Sequence, residues 1–275
     1  MENKYFKQDE DFESIMNSTL DGEEIKDINF ISTGWTNLVF EVDTDKNAYF
    51  FRFPRDEFWS RTIIKGYEFC QYIYNKTNFH TIKLELFHDQ GRPFSRHRKV
   101  EGVPLAERMN ELSEEEVASI SDEIADFMNQ LHNIQFNDRQ IFDIDDIGLE
   151  LNDFLDELLN LHVSEEDKEF WTHEPSTVRC LVHGDLNPSN IILDENNDIA
   201  AIIDFGFAGF GNKYDDIARI IGRCPSKFKD KIVKYYEHYS HEKIDSEILD
   251  EAIDTWSNID SAYINYMRKI GIYDG

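Results

Sequence analysis

The sequence has few basic residues for its size. Its 275 residues include 28 lysines and arginines against 56 aspartates and glutamates, which gives a formal net charge of −28. Nucleic acids and anionic membranes are bound largely through cationic contacts, so this deficit argues against both as partners. The excess carboxylates either solvate the surface or, where they line a cleft, raise the local concentration of cationic small molecules.

The sequence also lacks long apolar runs and paired cysteines. No run of about 18 apolar residues occurs, and the N-terminal MENKYFKQDEDFES has no apolar signal core, so neither a membrane span nor secretion is expected. Cys70, Cys180 and Cys224 are isolated, which is typical of free thiols in a reducing cytoplasm. We therefore expect a cytoplasmic protein with one large domain or two lobes.

The most informative stretch is 183–206, HGDLNPSNIILDENNDIAAIIDFG. Two apolar runs flank a polar cluster at 195–198, a pattern that predicts a β-hairpin with Asn190 and Asp204 at neighbouring strand ends. Their oxygens are ligands that suit Mg²⁺, and Asp185 just before them could accept a proton from a hydroxyl. The alternative is a surface hairpin with ordinary turn aspartates. All three residues at this spacing favour phosphoryl transfer.

Residues before this stretch predict an antiparallel sheet with one helix. Five apolar segments read as strands, and a period of about 3.6 predicts a helix over 62–75. The turn after the first strand contains Ser32, Thr33 and Gly34, which are candidate phosphate contacts; the alternative is an ordinary hairpin turn. The predicted strands are 28–31, 38–42, 48–53, 81–88 and 94–101.

The third predicted strand carries Arg52 within a row of aromatic residues. In kinase-like folds this strand presents a lysine to the nucleotide phosphates, and arginine can bind phosphate as well. Arg52 is therefore a candidate phosphate contact, or else it covers the sheet edge. Glu68 on the following helix is its candidate ion-pair partner, or else a solvated residue.

Gly102 and Pro104 lie close together in sequence and predict the point at which the chain leaves the sheet. We predict a nucleotide-binding lobe over 1–99 and a catalytic, substrate-binding lobe over 100–275. The nucleotide base would pair with the backbone between Arg98 and Val100.

The second half is predicted to be mainly helical. A capping box at Ser113 opens a long helix, and His132 near its end is predicted to be structural. Asp215 or Asp216 is the predicted N-cap of a later helix. Only nine residues, 207–215, separate that helix from Gly206, which is too short for a peptide-binding segment and favours a small-molecule acceptor. Further helices are predicted over 148–162, 164–174 and 227–270.

Several of these motifs resemble the aminoglycoside phosphotransferase family and its choline-kinase-like relatives: HGDLNPSNIILD, IAAIIDFGFAGFGNKYDDIARI, FRFPR and KVEGVPL. The resemblance implies a bilobal, protein-kinase-like α+β fold and transfer of the γ-phosphate of ATP or GTP to a hydroxyl. It assigns the catalytic-base role to Asp185 and Mg²⁺ to Asn190 and Asp204. Arg52 stands where the family usually has lysine. A monomer is favoured.

The acceptor implied by the charge and the resemblance is a cationic, amine-bearing molecule, with an aminoglycoside antibiotic first. Candidate carboxylates for its amines are Glu150, Asp153, Asp156, Glu157 and Asp260. One alternative is a metabolic kinase for choline, an amino alcohol or an amino sugar, with an aromatic cage from Trp256, Tyr263 and Tyr266. Another is an inactive nucleotide-binding protein, which the presence of all three candidate catalytic residues disfavours.

Overall fold

The computed structural model describes residues 5–32, 36–79, 81–135 and 179–269 of the chain. Its first part is a five-stranded antiparallel sheet, as predicted, with strand order β1-β2-β3-β5-β4. The fourth strand starts later than predicted, because 81–84 make only one isolated bridge. The strands are β1 (Ile25–Ile31), β2 (Asn37–Thr44), β3 (Ala48–Pro54), β4 (Glu85–Asp89) and β5 (Arg92–Arg98).

The two faces of β3 have different surroundings because side chains alternate along a strand. Tyr49, Phe51 and Phe53 are buried in an aromatic core. Helix α1 (Phe12–Asn17) covers this core and contributes its buried first residue to it. Arg52 therefore projects from the opposite face of the sheet, and there it lines a cleft.

Helix α2 (Glu57–Ile73) begins five residues before the predicted start. Asp56 is its N-cap and accepts a hydrogen bond from the backbone of Trp59 at 2.9 Å. The helix packs against the turn after Asp204, where Phe69 stacks on Phe205 with ring centroids 5.8 Å apart. Residues 57–61 have only a weak helical periodicity in sequence, but the cap and this packing stabilise them as the first turns of the helix.

The rest of the described chain is mainly helical around a second, larger core. Ser113 and Glu116 form the predicted capping box of helix α4 (Glu114–His132). The predicted N-cap of helix α5 (Lys213–Arg223) is wrong: Asn212 caps the helix, and Asp215 completes a capping box from inside it. The elements are β6 (Val103–Pro104), α3 (Leu105–Arg108), α4 (Glu114–His132), β7 (Cys180–Val182), β8 (Ile191–Leu193), β9 (Ile199–Ile202), β10 (Gly209–Gly211), α5 (Lys213–Arg223), α6 (Ser226–Ser240) and α7 (Ser246–Lys269).

These elements confirm the predicted fold class, an α+β, bilobal, protein-kinase-like fold, and β8 and β9 form the hairpin predicted to carry catalytic residues. The helices predicted over 148–162 and 164–174 lie outside the described residues. The division at residues 99 and 100 stays a prediction. None of the described helices combines the length and apolar character needed to cross a bilayer.

Gly102 permits the crossing from the sheet to the second part of the chain. Its φ of +139° is a conformation that side-chain-bearing residues rarely adopt, and a Cβ there would overlap the carbonyl oxygen of Leu193. We expect Gly102→Ala to lower the free energy of unfolding by roughly 1–3 kcal/mol, measured by urea denaturation. Gly91→Ala is the control, because Gly91 also has a positive φ but open space around it. Equal losses would contradict a steric role for Gly102.

Candidate active site

The four residues predicted to carry the chemistry line one cleft. Its volume is about 660 Å³, and Arg52, Asp185, Asn190 and Asp204 all contribute to its wall. Arg52 comes from β3, while the others come from the loop and hairpin between β7 and β10. The cleft therefore lies between the sheet and the mainly helical part of the chain.

Asp216 holds the loop that carries Asp185. Its carboxylate is fully buried and accepts hydrogen bonds from the backbone N–H groups of His183 (2.8 Å) and Gly184 (2.9 Å). It also lies 3.2 Å from Nε2 of His132, the histidine predicted to be structural. Because one buried carboxylate satisfies two consecutive backbone donors, the start of the loop has a fixed geometry.

His183 supports the same loop from inside. Its Nε2 lies 3.0 Å from the carbonyl oxygen of Ile203. A carbonyl oxygen only accepts, so Nε2 carries the proton and Nδ1 accepts from the backbone N–H of Asp185 at 3.2 Å. Burial lowers the pKa of His183, which keeps the ring neutral. The ring therefore links the loop to the end of the hairpin.

Asp185 is fixed by three side chains. Oδ1 accepts from Asn187 Nδ2 at 3.1 Å and from Arg219 Nη2, and Oδ2 accepts from Asn190 Nδ2 at 3.1 Å. Sequence reasoning missed Asn187 and Arg219. Arg219 could have been predicted from the sequence, since it lies three residues after Asp216 on α5 and hence on the same helix face.

Arg52 is paired with Asp204, not with Glu68. Arg52 Nη1 lies 3.1 Å from Asp204 Oδ1, and no ion pair joins Arg52 to Glu68 within the described residues. The predicted pairing fails because of helix phase. Gly66 lines the cleft, and Glu68 lies two positions later, about 200° around the helix.

The predicted phosphate turn is only partly described. Ser32 is exposed at the end of β1, and it is not among the residues that line the cleft. Thr33 and Gly34 lie outside the described residues. Thr36 and Asn37, the last two residues of the turn predicted over 32–37, line the cleft.

The predicted base contacts flank the end of β5. The side chain of Arg98 is exposed, and its carbonyl oxygen lies 2.9 Å from Nδ1 of His97. Val100 is partly buried and packs on the larger core. His97, a residue missed from the sequence, lines the cleft. Burial and then the charge of Arg52 lower the pKa of His97 to about 4, so its ring is neutral.

The donor set at Asn190 and Asp204 fits a magnesium ion. The amide nitrogen of Asn190 is directed to Asp185, which leaves its carbonyl oxygen for a metal. Asp204 has a left-handed backbone (φ 68°, ψ 65°) that turns the chain after β9. Across the described ranges, no three His, Cys, Asp or Glu residues form a metal cluster. Two protein oxygens plus waters and phosphates is the arrangement Mg²⁺ prefers.

Asp260, which was predicted to bind an amine of the acceptor, has other partners in the structure. That carboxylate accepts from Arg219 Nη1 at 2.7 Å and from Arg223, so it is already paired with two cations. The guanidinium of Arg219 also lies 4.4 Å from the ring centroid of Trp256. Tyr263 lines the cleft. The remaining predicted acceptor contacts lie outside the described residues: Glu150, Asp153, Asp156, Glu157 and the side chain of Tyr266.

A sequence profile of the phosphotransferase enzyme family matches residues 27–251, which include Arg52, Asp185, Asn190 and Asp204. The chain belongs to this family. The match covers most of the sequence and confirms the family on which the resemblance was based.

Solved structures similar to this phosphotransferase have the same fold at low sequence identity. The GDP and kanamycin complex of APH(2")-IIIa has a TM-score of 0.74 and 18% identity, over 94% of this chain and 93% of that one. The streptomycin–ATP–APH(2")-IIa ternary complex gives 0.68 and 18%, over 95% and 92%. Macrolide 2'-phosphotransferase type I has a TM-score of 0.66 and 13% identity, over 96% of each chain.

Proposed function

We propose that this phosphotransferase transfers the γ-phosphate of ATP or GTP to a hydroxyl of a cationic, amine-bearing small molecule, with an aminoglycoside as the first candidate. One observation carries the reaction type: Arg52, Asp185, Asn190 and Asp204 line the same cleft. These residue types supply a phosphate contact, a proton acceptor and two metal ligands, which together are what phosphoryl transfer requires.

In this mechanism Asp185 accepts a hydrogen bond from the acceptor hydroxyl and aims it at the γ-phosphorus. Arg52 leaves its ion pair with Asp204 and binds a phosphate oxygen, since a guanidinium matches phosphate geometry. Asn190 and Asp204, together with the nucleotide, would hold Mg²⁺, which when bound would neutralise charge on the phosphates. Positioning provides most of the acceleration, because the transition state of this reaction is loose.

The connection after Asp204 supports a small-molecule acceptor. Strand β10 pairs directly with β7, and α5 begins at Lys213, two residues after β10 ends. A peptide substrate would need a longer segment between the metal-binding aspartate and this helix. The same cleft can admit a compact molecule that brings a hydroxyl to Asp185.

Charge supports a cationic acceptor, although Asp260 does not contribute. Segment 136–178 contains thirteen acidic and only two basic residues, and it includes Glu150 and Asp156. We assign the attraction for amines to this segment. Kanamycin and streptomycin, the aminoglycosides in two similar structures, each carry several basic nitrogen groups. A choline-type acceptor has less support, because Arg219 already covers the Trp256 ring.

The test is an acceptor panel assayed by nucleotide consumption and product mass. Aminoglycosides, macrolides, choline and amino sugars are each offered with ATP and with GTP. We expect aminoglycosides to be phosphorylated, with kcat/KM falling as salt rises, because surface attraction is screened. Turnover of choline or a macrolide alone would overturn the aminoglycoside assignment. An aminoglycoside product would predict resistance in a sensitive bacterium that expresses the gene, measured as a raised inhibitory concentration.

The metal assignment gives a separate prediction. We expect Asp204→Asn to raise the Mg²⁺ concentration for half-maximal turnover by about tenfold or more, because a carboxylate ligand loses its charge. Activity is measured across a Mg²⁺ titration at saturating nucleotide. Asp194→Asn, in the turn of the same hairpin, is the matched control. An unchanged Mg²⁺ titration for Asp204→Asn would contradict the assignment.

A further inference from the structure

Arg219 is a buried cation placed against the candidate base. Its side chain is 8% exposed, it lines the cleft, and its guanidinium stacks on Trp256. Burial lowers the pKa of Arg219 to about 10, which leaves the group charged near neutral pH. A charge buried this deeply in a cleft must be compensated by fixed partners.

Those partners are two carboxylates at the two tips of the guanidinium. Nη2 donates to Asp185 Oδ1, and Nη1 donates to Asp260 Oδ1 at 2.7 Å. Arg223, one turn further along α5, donates to the other oxygen of Asp260. Because the guanidinium is planar and rigid, fixing one tip on Asp260 fixes the position of the other tip on Asp185.

The other two partners of Asp185 are neutral amides, Asn187 and Asn190, each at 3.1 Å. Hydrogen bonds from a charged donor are roughly twice as strong as neutral ones. Asn190 also serves as a proposed metal ligand, so its side chain is shared between two tasks. The guanidinium is therefore the strongest constraint on the direction of the Asp185 carboxylate.

We propose that Arg219 is a positioning residue for phosphoryl transfer, and that it holds the Asp185 carboxylate in the direction from which it meets the acceptor hydroxyl. The inference rests on the proposed function and adds to it a residue from α5 that the reaction depends on. Asp260 takes part by anchoring the far tip of the guanidinium to α7.

The experiment compares Arg219→Met and Arg219→Lys with wild type in the acceptor assay. We expect Arg219→Met to lower kcat about 10- to 100-fold, since a misplaced reacting group costs up to that factor, while the KM for nucleotide is unchanged. Arg219→Lys is expected to have a higher kcat than Arg219→Met, because lysine keeps the positive charge but lacks the planar guanidinium that bridges Asp185 and Asp260. Added methylguanidinium is expected to raise the activity of Arg219→Ala. The control is Lys229→Met, which removes the exposed ion pair of Lys229 with Asp250 on α7.

The outcomes separate this inference from the proposed function. If wild type is active and folded Arg219→Met keeps kcat within about twofold, the positioning role is overturned and the function stands. If both kcat and nucleotide affinity fall together in Arg219→Lys and Arg219→Met, the residue is structural and the inference also fails. If wild type phosphorylates no acceptor, the proposed function fails. Crystal structures of Arg219→Met and wild type with nucleotide give a second test. The inference requires that the Asp185 carboxylate changes direction in the variant. An unchanged direction overturns it.

Discussion

Replacing Asp185 by asparagine is expected to lower kcat for phosphoryl transfer by about 10² to 10⁴ while nucleotide still binds. The amide keeps the size of the side chain and can still accept one hydrogen bond, but it is a much weaker proton acceptor. The nucleotide contacts proposed for Arg52, Asn190 and Asp204 stay in place. Transfer is measured with the best acceptor of the panel, and nucleotide affinity by calorimetry.

Asp198→Asn is the matched control, because Asp198 is an exposed aspartate on the same hairpin. The Asp185 variant also leaves Arg219 with less neutralising charge, so its melting temperature is measured in parallel. Turnover above a tenth of wild type, in a folded protein that binds nucleotide, would remove Asp185 from the catalytic role.

Asp216→Ala is expected to have the largest effect on stability. The substitution leaves the backbone donors of His183 and Gly184 buried without their acceptor, and it removes the carboxylate beside His132. Loss of one member of a buried, hydrogen-bonded charged group costs about 3–5 kcal/mol. That is a large share of the 5–15 kcal/mol typical of a folded protein. Urea denaturation gives the free energy of unfolding.

Two further variants isolate the cause. Asp216→Asn keeps one acceptor oxygen and should lose less stability than the alanine variant. Asp254→Ala, an exposed position on α7, should change the free energy of unfolding by less than about 0.5 kcal/mol. An Asp216→Ala protein as stable as Asp254→Ala would show that the loop does not depend on this carboxylate.

Local sequence patterns were sufficient to predict the sheet and the hairpin of β8 and β9. Strand periodicity and the polar turn at 195–198 correctly predicted β8 and β9. The same hairpin brings Asn190 and Asp204 to one cleft. The capping box at Ser113 was also correct. In each case neighbours in sequence determine the geometry, so spacing alone carries the information.

Contacts between distant segments could not be predicted in the same way. Glu68 fails as the partner of Arg52 because the packing of α2 turns Gly66 towards the cleft, and Glu68 lies about 200° away around the helix. Asp260 was expected to bind a substrate amine, but it forms ion pairs with two arginines of α5. Both errors arise because a charge was assigned a partner before the packing of its helix was known.

The stacking of Arg219 on Trp256 also gives the protein an optical probe. Trp59 packs beside Phe207 and Tyr263, two residues that line the cleft. The aromatic core of the sheet contains no tryptophan among its described members. Indole emission from these two positions therefore originates at the cleft wall. With Trp35 and Trp171 replaced by phenylalanine, fluorescence can follow ligand entry there without a dye or a label.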